Sequence, residues 1–141
     1  NNAQVVVVKS SVADQYTTAE SCADLSFAVE AGSAGEEAIA ALGYDYISVT
    51  TQADALMEVA SGTSDACVID LLMAGAMIGE GTSYPDLTYT VELTTEKYGV
   101  GFRKDSDLAQ KLNDFFAASY KDGSMMEIAK QYGVQESVIA Q

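Results

Sequence analysis

The hydrophobic and polar positions along the first half of the chain switch repeatedly between two spacings. Short apolar runs predict strands over residues 5–9, 26–31, 46–50 and 65–70. Apolar residues at helical spacing predict helices over residues 34–42, 52–61 and 71–78. Strands that alternate with helices are typical of βαβ units. We therefore expect an α/β fold, a three-layer sandwich in which a mostly parallel central sheet lies between helices.

The chain after Pro85 is less regular. Its pattern predicts two further strands, over residues 87–93 and 98–103, and two further helices, over residues 106–120 and 124–132. The first of these helices is strongly amphipathic. The second begins with the spacing of a capping box, Ser124 followed by Glu127, and Gly133 ends it.

The turn Gly32-Ser33-Ala34-Gly35 joins a predicted strand directly to a predicted helix. The first N–H groups of a helix have no partner inside it, so such a terminus can bind a carboxylate or a phosphate. Ser33 and Glu36 also have the spacing of an ordinary helix cap, which is an equally good reading of the same residues. The turn is therefore a candidate anion site or a structural cap.

Asp70 stands at the carboxyl end of another predicted strand. In parallel sheets ligands bind beyond the carboxyl ends of the strands, so the turn and Asp70 are expected at one edge. A helix N-terminus attracts an anion and Asp70 attracts a cation, and an α-amino acid carries both charges. Asp70 could equally be the N-cap of the helix that follows it.

Composition narrows the possible functions. The net charge of -14 opposes binding to nucleic acids and to anionic membrane surfaces. The chain contains no histidine, which removes histidine-based catalysis and most zinc sites, and it has no loop of the calcium-binding type. We expect no catalytic residue, no metal and no cofactor. Cys22 and Cys67 are not arranged as a CxxC motif, and whether they pair is left open.

Three segments, taken together, resemble the solute-binding proteins of ABC-type amino-acid importers, of the family 3 type. They are Val29-Glu30-Ala31-Gly32-Ser33-Ala34-Gly35-Glu36, the run from Ala55 through Gly62-Thr63-Ser64-Asp65 to Asp70, and Tyr98-Gly99-Val100-Gly101-Phe102-Arg103 continuing to Leu108. The resemblance covers essentially the whole chain, in order and at family spacing, and it corresponds to the C-terminal portion of such a protein.

The resemblance implies a type II periplasmic-binding-protein fold, in which two lobes close on a ligand. Residues 1–4 would be the first crossing between the lobes, and residues 5–97 the second lobe. Residues 98–141 would be the second crossing and a helical segment that packs on the first lobe. By position, Gly32, Ser33, Ala34 and Gly35 match the segment that binds the ligand carboxylate, and Asp70 matches the residue that binds the ammonium. Many members have Thr or Ser where Ala34 stands, so one hydroxyl is missing.

Most of the first lobe, with its carboxylate-binding arginine, has no counterpart in this sequence. We therefore expect a fragment of a longer protein whose precursor carries a signal peptide. The apolar stripe of residues 106–120 would then lack its usual partner, and exchange of the C-terminal helices between two copies would form a swapped homodimer.

The functional prediction is a non-enzymatic module that captures a free amino acid and delivers it to a membrane permease. Its expected location is periplasmic or extracellular, as a lipoprotein on the cell surface if the source is Gram-positive. One alternative is the ligand-sensing domain of a receptor or channel on the same scaffold. Another is a dehydratase-like enzyme, for which Asp70 and Glu30 would be the only candidate acid–base pair.

Overall fold

The computed structural model describes residues 1–139, with the exception of the side chain of Glu136. The described chain divides into two compact units. The larger unit runs from Asn2 to Thr95, and the smaller one begins at Glu96 and includes Asn1. Each unit is described by itself below.

The larger unit is built on a five-stranded sheet. Its strands are β1 (Asn2–Lys9), β2 (Phe27–Glu30), β3 (Tyr46–Val49), β4 (Ala66–Asp70) and β5 (Leu87–Glu96), and their order in the sheet is β3-β2-β4-β1-β5. The β2 strand is parallel to both β3 and β4, as expected for βαβ units. The β1 strand is antiparallel to β4, so the sheet is mixed. The predicted α/β class is confirmed.

Helices lie in the connections between successive strands. They are α1 (Ala34–Leu42), α2 (Gln52–Ser61) and α3 (Leu71–Met77), and two short 3₁₀ helices, Ser10–Gln15 and Glu20–Cys22, follow β1. The α1 and α2 helices both end at a glycine with positive φ, Gly43 and Gly62. A left-handed residue at this position lets the chain leave the helix without a Cβ clash, which is why these glycines stop the helices.

Two hydrophobic clusters lie on the two faces of the sheet. One contains Val5, Val7, Cys67 and Ile69 together with residues of α2. The other contains Val6, Val8, Val68 and Ile39 of α1. Successive residues of a strand point to opposite faces, so the unbroken valine run of β1 supplies both clusters. Helices and sheet thus form the three expected layers.

The two cysteines belong to different clusters. Cys22 packs with the α1 cluster and Cys67 with the α2 cluster, and both are buried free thiols. Burial raises the pKa of each thiol, and the Cys22 thiol donates a hydrogen bond to the Thr18 carbonyl at 3.3 Å. Because the sheet lies between the clusters, this fold does not pair them.

The smaller unit contains α4 (Leu108–Asp122), α5 (Ser124–Gln131) and a 3₁₀ helix at Gln135–Ser137. The strand predicted over residues 98–103 is wrong, because that segment pairs with no described strand. The capping box predicted at Ser124 is also wrong. Gly123, with φ of 85°, precedes the helix without a side-chain cap, and the Ser124 N–H instead donates to Asp122 Oδ1 at 2.9 Å.

Candidate functional site

The strand register brings three chain segments to one edge of the sheet. Val29 of β2 lies beside Val68 of β4 in a parallel pair, so the carboxyl ends of both strands point the same way. In the antiparallel pair, Gln4 of β1 lies beside Asp70. The edge is therefore formed by the turn after β2, the end of β4 and the beginning of β1. The predicted meeting of the turn and Asp70 at one edge agrees with this geometry.

The turn after β2 is held by its own side chains. The Ser33 hydroxyl oxygen caps α1 by accepting the Glu36 N–H at 3.1 Å. The Glu36 carboxylate reaches back and accepts the Gly32 N–H at 2.7 Å. The Ser33 N–H donates to the Glu30 carbonyl at 3.2 Å. The structural cap read from the sequence is therefore present.

Glu36 adds a negative charge beside this turn. The Glu36 carboxylate accepts hydrogen bonds from the Ser48 hydroxyl and from the Gly32 N–H. These hydrogen bonds, chiefly the one from Ser48, hold the pKa of Glu36 below its usual range. Because the Gly32 N–H is already committed to Glu36, it is a poor donor for a bound anion. The remaining donors of the turn are the Ser33 hydroxyl and the N–H groups of Ala34 and Gly35, which start α1 and so have no acceptor within the helix.

Gly35 lets α1 approach the sheet closely. A Cβ at this position would lie 3.1 Å from both the Val68 carbonyl oxygen and Val68 Cγ1, and 3.2 Å from Gln4 Oε1. Any side chain would push the helix start away from β4 and β1. Gly35 therefore sets the distance between the turn and the end of β4.

Asp70 is 8% exposed and has hydrogen bonds on both carboxylate oxygens. Its Oδ1 accepts the N–H groups of Leu72 at 2.9 Å and Met73 at 3.1 Å, so Asp70 is the N-cap of α3. Its Oδ2 accepts a hydrogen bond from the Asn2 side-chain amide. The Asp70 N–H donates to Gln52 Oε1 at 3.0 Å. Asp70 therefore caps α3, as one reading of the sequence predicted, and hydrogen bonds hold its carboxylate in one orientation.

The sequence analysis did not predict that the side-chain amides of Asn2 and Gln4 lie at the site edge. Both are buried, and both occupy even positions of β1, on the face that Val6 and Val8 turn toward α1. Asp70 follows the same alternation in β4, after Ala66 and Val68. The predicted strand began at Val5, whereas β1 begins at Asn2. The alternation of Asn2 and Gln4 with Ala3 and Val5 was the signal that could have revealed them.

Charge is distributed unevenly along the chain. Residues 2–95 contain one basic side chain, Lys9, and fourteen acidic ones. Among residues 1–139, no group of three or more Cys, Asp and Glu side chains is arranged to hold a metal ion. Within the same residues, every helix is too short or too polar to cross a membrane.

No protein-family model and no curated protein sequence matches the chain, but solved structures do. A protein from Wolinella succinogenes, described as the binding component of an ABC transporter and complexed with lysine, matches with a TM-score of 0.75 and 25% identity. The match covers 92% of this chain and 58% of that one. A mutant of ArgBP from T. maritima matches with a TM-score of 0.71 and 25% identity, over 92% of this chain and 57% of that one.

A third similar structure is smaller. Domain 2 of TmArgBP matches with a TM-score of 0.53 and 26% identity, over 62% of this chain and 92% of that one. This chain thus spans little more than half the length of the two larger proteins. The family resemblance seen in the sequence is confirmed: by fold, this chain is similar to part of an amino-acid-binding protein of an ABC transporter.

Proposed function

We propose that this chain is the second lobe and C-terminal segment of a two-lobed protein that captures a free amino acid for an ABC permease. The observation that carries the proposal is the shared edge of the sheet. The start of α1 and Asp70 lie there, on the same face, and Gly35 keeps them close. A donor-rich helix start beside a buried carboxylate matches the two charges of an α-amino acid.

Each group of the proposed site has one role. The ligand carboxylate accepts hydrogen bonds from the Ser33 hydroxyl and from the N–H groups of Ala34 and Gly35. The ligand ammonium binds the Asp70 carboxylate. Gly32 contributes the shape of the turn, with φ of 73°, while its N–H stays with Glu36. Backbone N–H groups cannot be deleted by substitution, so Ser33 and Asp70 are the residues to test.

The chemistry of the lobe favours a cationic ligand side chain. One lysine against fourteen acidic groups gives residues 2–95 a negative field, which attracts cations and repels anionic ligands. Among the similar structures, one is described as arginine-bound, one as complexed with lysine and one as bound to glutamine. We therefore propose that L-arginine and L-lysine are the first ligands to test.

The remaining assignments follow from the same proposal. Residues 5–97 form the second lobe, residues 1–4 and the segment after residue 97 cross to the first lobe, and the C-terminal helices pack on that lobe. The module has no catalytic activity and works outside the cytoplasm, beside its permease. The match to domain 2 of TmArgBP supports the lobe assignment.

The test is a thermal-shift screen of the two-lobed protein against the amino acids. A ligand that binds only the folded state raises the melting temperature, so we expect arginine or lysine to do so. The informative variant is Asp70→Asn, because asparagine still caps α3 while the charge is removed. We expect this variant to keep the melting temperature of the ligand-free protein and to bind at least about a hundredfold more weakly.

Two results would contradict the proposal. One is a wild-type protein whose melting temperature no amino acid raises. The other is an Asp70→Asn variant that binds the same amino acid with unchanged affinity, which would leave Asp70 as a helix cap only.

A further inference from the structure

We infer that Asn2 is a positioning residue of the amino-acid site: its side-chain amide orients the carboxylate that binds the ligand ammonium. This inference rests on the proposed function, because it takes Asp70 as the ligand-binding group. It concerns a residue that the sequence analysis placed only in a crossing segment.

The first step is the geometry around Asp70. Its two oxygens accept hydrogen bonds from different elements: Oδ1 from the first turn of α3, and Oδ2 from the Asn2 amide of β1. Because the α3 N–H groups occupy Oδ1, the oxygen turned toward β1 and the site face is Oδ2. Asn2 therefore controls the orientation of the oxygen that is presented to an ammonium group.

The second step is burial. Asn2 is 1% exposed and Asp70 is 8% exposed, so their hydrogen bond is shielded from water. A hydrogen bond to a charged group contributes more than one between neutral groups, and its loss in a buried setting leaves the carboxylate poorly solvated. Loss of the Asn2 donor would therefore weaken the arrangement of the carboxylate that the proposed site requires.

The third step is the place of Asn2 in the chain. It is the first residue of β1, and the boundary between the two compact units falls between Asn1 and Asn2. Because Asn2 belongs to β1, the strand fixes the backbone from which its amide reaches Asp70.

The experiment is a double-mutant cycle on the two-lobed protein, with L-arginine and L-lysine as the probes. Affinities are measured by calorimetry for the wild type, Asn2→Ala, Asp70→Asn and the double variant. We expect Asn2→Ala to weaken binding by about tenfold, as the loss of a hydrogen bond to a charged group should. In the Asp70→Asn background the same change should alter affinity less than about twofold, because the carboxylate it acts on is gone.

Two further variants distinguish a loss of orientation at Asp70, which lowers affinity, from a loss of stability, which lowers only the melting temperature. Asn2→Leu keeps the branching and the number of heavy atoms of the side chain without the donor. It should lose as much affinity as Asn2→Ala, which guards against a collapse caused by the smaller side chain. Ser26→Ala is the matched control, since the Ser26 hydroxyl donates to Asp65 Oδ2 at 2.7 Å at the opposite end of β4. It should lower the melting temperature without changing affinity.

The outcomes distinguish this inference from the function it rests on. If the wild type binds an amino acid and Asn2→Ala only lowers the melting temperature, the inference is wrong and the function stands. The inference would also be wrong if Asn2→Ala weakened binding equally in the wild type and in the Asp70→Asn variant. A wild-type protein that binds no amino acid would overturn the proposed function and this inference with it.

Discussion

At the scale of single residues, Ser33 and Asp70 each do structural work that the proposed binding role does not replace. The Ser33 oxygen accepts the Glu36 N–H and caps α1, and Asp70 accepts two N–H groups and caps α3. A hydroxyl that accepts one hydrogen bond can still donate another, so capping leaves Ser33 able to bind an anion. Capping and binding are therefore compatible uses of these two side chains.

Gly35 yields the sharpest prediction at this scale. In Gly35→Ala the added methyl group would lie 3.1 Å from the Val68 carbonyl oxygen, so α1 must shift. We expect a loss of about 1–3 kcal/mol in the free energy of unfolding, as overpacking typically causes. Urea denaturation of the chain followed by circular dichroism measures it.

Gly75 in α3 is the matched control, because a Cβ there meets nothing within 4 Å. Gly75→Ala should raise the free energy of unfolding by roughly 0.5–1 kcal/mol through the higher helix propensity of alanine. Equal effects of the two substitutions would refute the close-approach argument for Gly35.

At the scale of secondary-structure elements, β1 departs from its prediction at the end that lies at the site edge. It begins at Asn2 and not at Val5, and it runs antiparallel to β4. The polar side chains of Asn2 and Gln4 at its start are buried at the site edge, where the Asn2 amide donates to the Asp70 carboxylate. A polar strand start therefore marks the site edge in this fold.

The two helix caps at this edge offer a paired test. Thr51 caps α2 through a complete capping box with Asp54, and its oxygen accepts the Asp54 N–H at 3.1 Å. Thr51→Ala and Ser33→Ala should each lower the free energy of unfolding by about 1 kcal/mol, because each removes one cap. Thermal denaturation gives both values.

Ligand affinity should differ between the Ser33→Ala and Thr51→Ala variants. In the two-lobed protein, Ser33→Ala should weaken amino-acid binding by about tenfold through the loss of a hydrogen bond to the ligand carboxylate. Thr51→Ala should leave binding unchanged. If calorimetry shows no difference between the two variants, Ser33 is a cap alone.

At the scale of the whole molecule, the smaller unit exposes several large apolar side chains. Tyr98, Phe115, Ile128 and Tyr132 are each more than half exposed, at 68%, 61%, 56% and 73%. Exposed apolar patches are typical of interaction sites, and exposed large apolar side chains can contribute to one. In the proposed two-lobed protein the first lobe covers these residues, and in the chain alone a second copy would.

This proposal predicts the oligomeric state of the 141-residue chain. We expect a dimer in gel filtration coupled to light scattering, and a monomer after Phe115→Glu, since a buried charge without a partner destabilises an interface. Met57 of α2, 53% exposed in the larger unit, supplies the control, and Met57→Glu should remain a dimer. A monomeric wild-type chain would contradict the predicted exchange.

Sequence periodicity alone determined most elements of residues 2–95, since apolar spacing and glycine stops are local properties. The parallel core, the Ser33 cap and the position of Asp70 at the strand end were all predictable in this way. The strand expected over residues 98–103 was not, because a strand exists only when another strand pairs with it. Pairing and register depend on contacts between distant parts of the chain. For the same reason, only the tertiary structure brought Asn2 and Gln4 to Asp70 and Gly35, committed the Gly32 N–H to Glu36, and put Cys22 and Cys67 on opposite faces of the sheet.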